Sequence, residues 1–255
     1  GMCRIPIGPG DYWDGARRRA TPERMDPGVL MAWRHGVRPM VLFEYYTRWH
    51  GELGDQEKWK AIGQAFAERF RPGSPWLAEQ GVDDPEWGIV FYSAVNEPMW
   101  KDNNPEPIPV EEYVRAMEGL ADGVHAVDGA LKVSPGGFQE VPLFQNRNPY
   151  FEALAPLYNQ GKLHAIDIHR YWDVEYVPMD RGRQCSLQSQ FDAARAHAGV
   201  TADVRFYTTE MNFKKRLVTE DEAAQGFLTA LWDALTVVNA DGRPVTEFVM
   251  PWNIF

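Results

Sequence analysis

Two glutamates and a histidine stand where short apolar runs of this chain end. The run Gly88 to Val95 leads into Asn96-Glu97-Pro98, the run Val204 to Thr209 into Glu210, and the run Ala165 to Ile168 into His169 and Tyr171. A single glutamate in such a place is ordinarily a loop charge or half of an ion pair. Two glutamates on separate strands can divide one reaction between them. One, as the acid, gives a proton to a departing oxygen, while the other, as the carboxylate, attacks carbon or draws a proton from water. That is the division of labour needed to break a glycosidic bond. His169 and Tyr171, two residues apart on one extended run, share a face and can line the same site. Asp167 shares that face as well.

The elements that position these residues alternate along the chain. Strand-like runs are Cys3 to Ile7, Pro39 to Tyr46, Gly88 to Val95, Leu131 to Ser134, Leu163 to Tyr171, Val204 to Glu210 and Val245 to Phe255. Between them lie helical segments at Val29 to Arg34, Asp55 to Phe70, Val110 to Val127, Tyr150 to Tyr158, Leu187 to Ala198 and Glu220 to Val238. Trp59, Ile62, Phe66 and Phe70 recur at helical spacing, as do Tyr113, Met117, Leu120 and Val124, and Phe227, Leu231 and Leu235, each set marking a core-facing stripe. Strand and helix in alternation predict an α/β fold with a parallel sheet wrapped by helices. The length of 255 residues fits one (β/α)8 barrel as a single domain over residues 1–255, with its active site at the C-terminal ends of the strands. The runs number seven where a closed barrel needs eight. An open barrel exposes two unpaired edges, so a strand before Cys3 and a helix after Phe255 are expected in the natural protein.

Composition removes several classes of function. A net charge of -10, with one short basic run at Arg17 to Arg19, does not suit a phosphate backbone, so no nucleic-acid partner is expected. No apolar run approaches the roughly 18 residues of a membrane span, and no secretory leader pattern is present. Cys3 and Cys185 lie far apart without metal-type spacing. No metal site and no cofactor are expected. The 10 Trp and 10 Tyr offer flat surfaces on which sugar rings stack.

The chain resembles clan A of the glycoside hydrolases. Val95-Asn96-Glu97-Pro98 is similar to the clan's motif at the end of its fourth barrel strand, and Thr208-Thr209-Glu210 to its nucleophile strand, the seventh, in matching order. The resemblance runs from Arg4 to Trp252. It implies a retaining hydrolase of β-glycosidic bonds with Glu97 as acid/base and Glu210 as nucleophile. It further implies that Arg4 braces the nucleophile's surroundings, Asn96 binds the sugar 2-hydroxyl, His169 and Tyr171 form the sixth-strand pair, and Trp252 is the platform under the cleaved sugar. Glu44, Tyr46 and Trp172, with Trp49 and Trp100, are candidates for further sugar contacts. One departure is that many members carry a histidine near the end of the third strand, where this chain has Glu44, Tyr45 and Tyr46. A secreted or periplasmic location also follows from the resemblance alone. Two other readings remain open from sequence: a barrel that binds carbohydrate without cleaving it, and a metal-dependent, sugar isomerase-like barrel in which Glu97, His169 and Glu210 are ligands.

Overall fold

The alternating runs become parallel strands and their covering helices in the computed structural model, which describes residues 1–45, 52–99, 106, 108–139, 148–172, 186–213 and 219–251. The chain divides into two units, Gly1–Gly136 with Gly161–His164, and Gly137–Gln160 with Ala165–Phe255.

In the first unit β1 (Met2–Ile7) is followed by α1 (Pro9–Tyr12), a small antiparallel pair β2 (Trp13–Asp14) and β3 (Arg19–Ala20), and α2 (Asp26–Arg34). Then come β4 (Arg38–Phe43), α3 (Gln56–Phe70), α4 (Pro75–Glu79), β5 (Phe91–Ala94), α5 (Val110–Val127) and β6 (Lys132–Pro135). The sheet runs β1-β4-β5-β6, parallel throughout. Met40 to Phe43 are wholly buried, as a strand covered on both faces requires, which is why β4 reads as a continuous apolar run. α2 begins one turn earlier than the apolar pattern indicates, since Pro27 is tolerated in a helix's first turn. α4 lies outside the helical segments expected from sequence, and Ser74 starts it by accepting from the Leu77 N–H.

The helix α3 starts at Asp55, whose side chain accepts from the Lys58 N–H, and buries Trp59, Ile62, Phe66 and Phe70 as their spacing predicts. Phe66 meets Phe43 of β4 edge to face, 4.8 Å between centroids. Each of these aromatic side chains contributes about 1.5–3 kcal/mol by leaving water. α5 packs on α3 at unusually close range because glycines face the neighbouring backbone. A Cβ at Gly119 would strike the Gln56 carbonyl oxygen, and one at Gly123 the Lys60 carbonyl oxygen.

In the second unit β7 (Phe138–Gln139), β8 (Ala165–Trp172), β9 (Arg205–Phe213) and β10 (Thr246–Pro251) form a parallel sheet in the order β10-β9-β8-β7. Its helices are α6 (Pro149–Asn159), α7 (Leu187–Ala198) and α8 (Glu220–Leu235). Asn148 caps α6 by accepting from the N–H groups of Tyr150 and Phe151, and Gly199 closes α7 at φ 72°. Thr219 and Glu222 form a reciprocal capping box on α8.

The buried face of α8 differs from the stripe Phe227, Leu231 and Leu235. Ala230 and Ala234 are buried, with Phe227 and Val249 packed against the cluster of Met211 and Ala230, while Leu235 is exposed together with Leu228 and Trp232. Small side chains let the helix lie close to β9 and β10, so apolarity alone misplaces the face by about one residue. α8 also stops at Leu235 instead of Val238, because the Val237 carbonyl accepts from the Val245 N–H. Among the described residues no helix is long and apolar enough to cross a membrane.

Candidate active site

In the first unit the chemistry gathers where β5 ends. The ladder continues one residue beyond the strand, with the Val95 N–H donating to the Phe43 carbonyl at 3.0 Å. The backbone then turns sharply: Val95 has φ 61° and Glu97 has φ 45°. A β-branched residue in the left-handed region is strained, and such strain persists only where the surroundings enforce it. Part of that enforcement comes from Gly136 after β6. Its N–H donates to the Ala94 carbonyl at 2.8 Å, and its missing Cβ leaves the room that the carbonyl of Val95 and the N–H of Asn96 occupy.

The result is a pair of buried polar side chains, Asn96 at 7% and Glu97 at 8% exposure. Arg4 of β1 donates from Nη1 to Asn96 Oδ1 at 3.4 Å, which orients the amide. Glu44 follows β4, its N–H donating to the Ile7 carbonyl and its own carbonyl accepting from the Tyr12 hydroxyl at 3.0 Å. Burial, with Tyr45 and Glu44 nearby, pushes the Tyr12 hydroxyl far above the ordinary tyrosine range, so it acts as a fixed donor.

The second unit builds its part on β8 and β9. Their register is Asp167 opposite Tyr207 and then Arg170 opposite Met211, so β9 advances by one more residue than β8 over this stretch. Such a bulge re-aims side chains. Here it lets two consecutive residues, Thr209 and Glu210, reach one imidazole. His169 Nε2 lies 3.0 Å from Thr209 Oγ1, and Nδ1 lies 3.6 Å from Glu210 Oε2. Thr209 Oγ1 donates in turn to Asp167 Oδ2 at 2.6 Å, and its backbone N–H donates to Asp167 Oδ1 at 3.0 Å. Asp167, His169, Thr209 and Glu210 are all buried, Glu210 to 7% exposure. Gly137, at φ 94°, faces the ring, and a Cβ there would strike His169 Nε2.

The structure therefore brings Arg4 together with Asn96, and His169 together with Glu210. Tyr171 and Trp172 belong to β8, opposite Asn212 and Phe213, and their side chains lie outside the described residues. So do Tyr46, Trp49, Trp100 and Trp252. Asp167 and Thr209 are visible in sequence as neighbours of candidate residues, but their link across two strands is not. Gly136 and Gly137 read there only as a strand terminator. For a divalent ion, the described residues of this unit offer His169 and Glu210, one nitrogen and one carboxylate side by side.

No family model matches the sequence, and no curated protein matches it. Solved structures do. A glucosidase from Croceicoccus marinus is similar with a TM-score of 0.65 at 14% identity, covering 98% of this chain and 53% of the glucosidase. A family 51 α-L-arabinofuranosidase from Bifidobacterium longum is similar with a TM-score of 0.53 at 16% identity, over 84% of this chain and 47% of the enzyme. An endo-1,4-β-mannanase from Rhizomucor miehei is similar with a TM-score of 0.56 at 14% identity, over 98% and 77%. The chain spans about half the length of the first two. These likenesses show the fold. It is an α/β barrel, the (β/α)8 class expected from the alternation of strands and helices and from the length of the chain.

Proposed function

We propose that this chain, as a single catalytic domain over residues 1–255, is a glycoside hydrolase that cleaves β-glycosidic bonds of oligo- or polysaccharides with retention of configuration. The observation that carries the reading is burial. Glu97, three residues beyond β5, and Glu210, inside β9, which runs on to Phe213 where the sequence pattern ends the strand at Glu210, are both less than a tenth exposed. Burying a carboxyl group is costly; Asp167 offsets that cost by accepting from the Thr209 hydroxyl and backbone N–H, and Glu97 and Glu210 are the two buried glutamates among the described residues. The glycosidase fold of the neighbouring structures supports the same conclusion.

In the proposed reaction a carboxylate oxygen of Glu210 attacks the anomeric carbon. The bond from that carbon to the glycosidic oxygen breaks, and Glu97 gives its proton to the departing oxygen. Water then attacks the anomeric carbon, its proton passes to Glu97, and the ester to Glu210 breaks. Asn96, fixed by Arg4, is assigned to the sugar 2-hydroxyl. Glu44, Tyr46, Tyr171, Trp172 and Trp252 are assigned to sugar contacts. His169 is assigned to Glu210.

Aryl β-glycosides and soluble polysaccharides test the reading, with the first-formed sugar followed by proton NMR. Retention is expected. Glu210→Ala should lose all hydrolysis, with azide restoring only a product of inverted configuration. Glu97→Ala should still cleave aryl glycosides whose leaving group needs no proton, and azide should then give a product of retained configuration. An inverted first product, or full activity in Glu210→Ala, would overturn the assignment.

A further inference from the structure

The imidazole of His169 sits between two carboxylates of its own unit, Glu210 directly and Asp167 through a hydroxyl. Thr209 has one hydroxyl proton, and it goes to Asp167 Oδ2 at 2.6 Å, while the Thr209 backbone N–H goes to Oδ1 at 3.0 Å. Asp167 has no exposed surface. Accepting from two donors favours its ionised form, and an ionised carboxylate can only accept. The Thr209 oxygen is therefore left with lone pairs toward His169 Nε2, 3.0 Å away, and Nε2 must supply the proton between them. On the other side Nδ1 faces Glu210 Oε2 at 3.6 Å. Without a proton, Nδ1 would set its lone pair against a charged oxygen. The ring is also confined by Gly137, whose missing Cβ is the space the imidazole fills.

We propose that Asp167 and Thr209 are positioning residues that hold His169 as the imidazolium, with Nε2–H on Thr209 and Nδ1–H toward Glu210. The consequence for catalysis rests on the glycoside hydrolase reading above: a fixed cation beside Glu210 favours the carboxylate form that a nucleophile needs. The relay is tested without turnover.

The test is nitrogen–proton correlation NMR of histidine rings in the full chain near neutral pH, with His169→Gln identifying which of the 6 histidines gives the signal. Both ring nitrogens of His169 should carry protons in the unmodified chain. Asp167→Asn should reverse the relay. Its carbonyl must meet the Thr209 backbone N–H, so its amide meets Thr209 Oγ1, and the hydroxyl proton turns to Nε2. His169 should then lose the Nε2 proton and keep the one on Nδ1. Thr209→Val should lose it too, and Thr209→Ser should keep the original pattern. Circular dichroism shows which variants are folded, and the Thr209 pair decides the matter if Asp167→Asn is not. An unprotonated Nδ1 in the unmodified chain, or ring signals unchanged in Asp167→Asn and Thr209→Val, would overturn the relay whatever the activity. A chain with the expected ring signals that cleaves no glycoside would overturn the proposed function and leave the relay standing.

Discussion

Replacing Gly136 by alanine should damage the acid half of the reaction selectively. An added Cβ would lie 2.8 Å from Asn96 N, from Val95 C and from Val95 O. Carbon contacts relax at about 3.5–4.0 Å, so the segment carrying Glu97 must retreat by roughly 0.7–1.2 Å. All three atoms are backbone, and the backbone there is already held at φ 61° and φ 45°. No flexible side chain can absorb the movement. Overpacking of this kind costs about 1–3 kcal/mol, and each kcal/mol lowers Tm by about 2–4 °C in a chain of this size.

The larger effect should be on rate, since a displacement near 1 Å can cost about 100-fold. It should fall unevenly. Alkyl β-glycosides need their leaving oxygen protonated and should lose about 100-fold, whereas dinitrophenyl β-glycosides need no acid and should lose much less. The assay is kcat/KM across a leaving-group series at a temperature well below the variant's Tm. Equal losses at both ends of the series, or no loss at all, would refute the idea that Gly136 positions Glu97.

Other variants test the framework beneath the site. Gly123→Ala should destabilise by about 1–3 kcal/mol in urea unfolding, because its Cβ meets the Lys60 carbonyl and Gln64 N. An exposed helix would instead gain up to about 1 kcal/mol from that change, so a stabilised variant contradicts the close α3–α5 packing. Asn148→Ala should cost about 1–2 kcal/mol, since it strips the acceptor from the N–H groups of Tyr150 and Phe151 at 3.0 and 3.2 Å in a buried place. Asn148→Asp should keep most of that stability, and an unchanged Tm in the alanine variant would show the cap to be dispensable.

Much of this protein is legible in one dimension. α5 over Val110–Val127 and α7 over Leu187–Ala198 follow directly from apolar periodicity and flanking residues, because helices packed on one face leave a repeat of three and four in the sequence. Buried strands such as β4 leave a continuous apolar run for the same reason. Glu97 and Glu210 stand out because a charged residue closing such a run needs explaining. What periodicity cannot reveal is distance across strands. The face of α8 is set by Ala230 and Ala234, which a hydrophobic pattern undervalues. The link from Asp167 through Thr209 to His169 depends on a bulge that no residue type announces. Gly136 and Gly137 look like a turn, and only close approach of the Val95 carbonyl on one and the His169 ring on the other shows why neither can bear a side chain. Sequence by itself determined the kinds of chemistry available and the elements that carry them, since both depend on local composition. Tertiary structure decided which groups touch and where protons are held, since those depend on register and on space left empty.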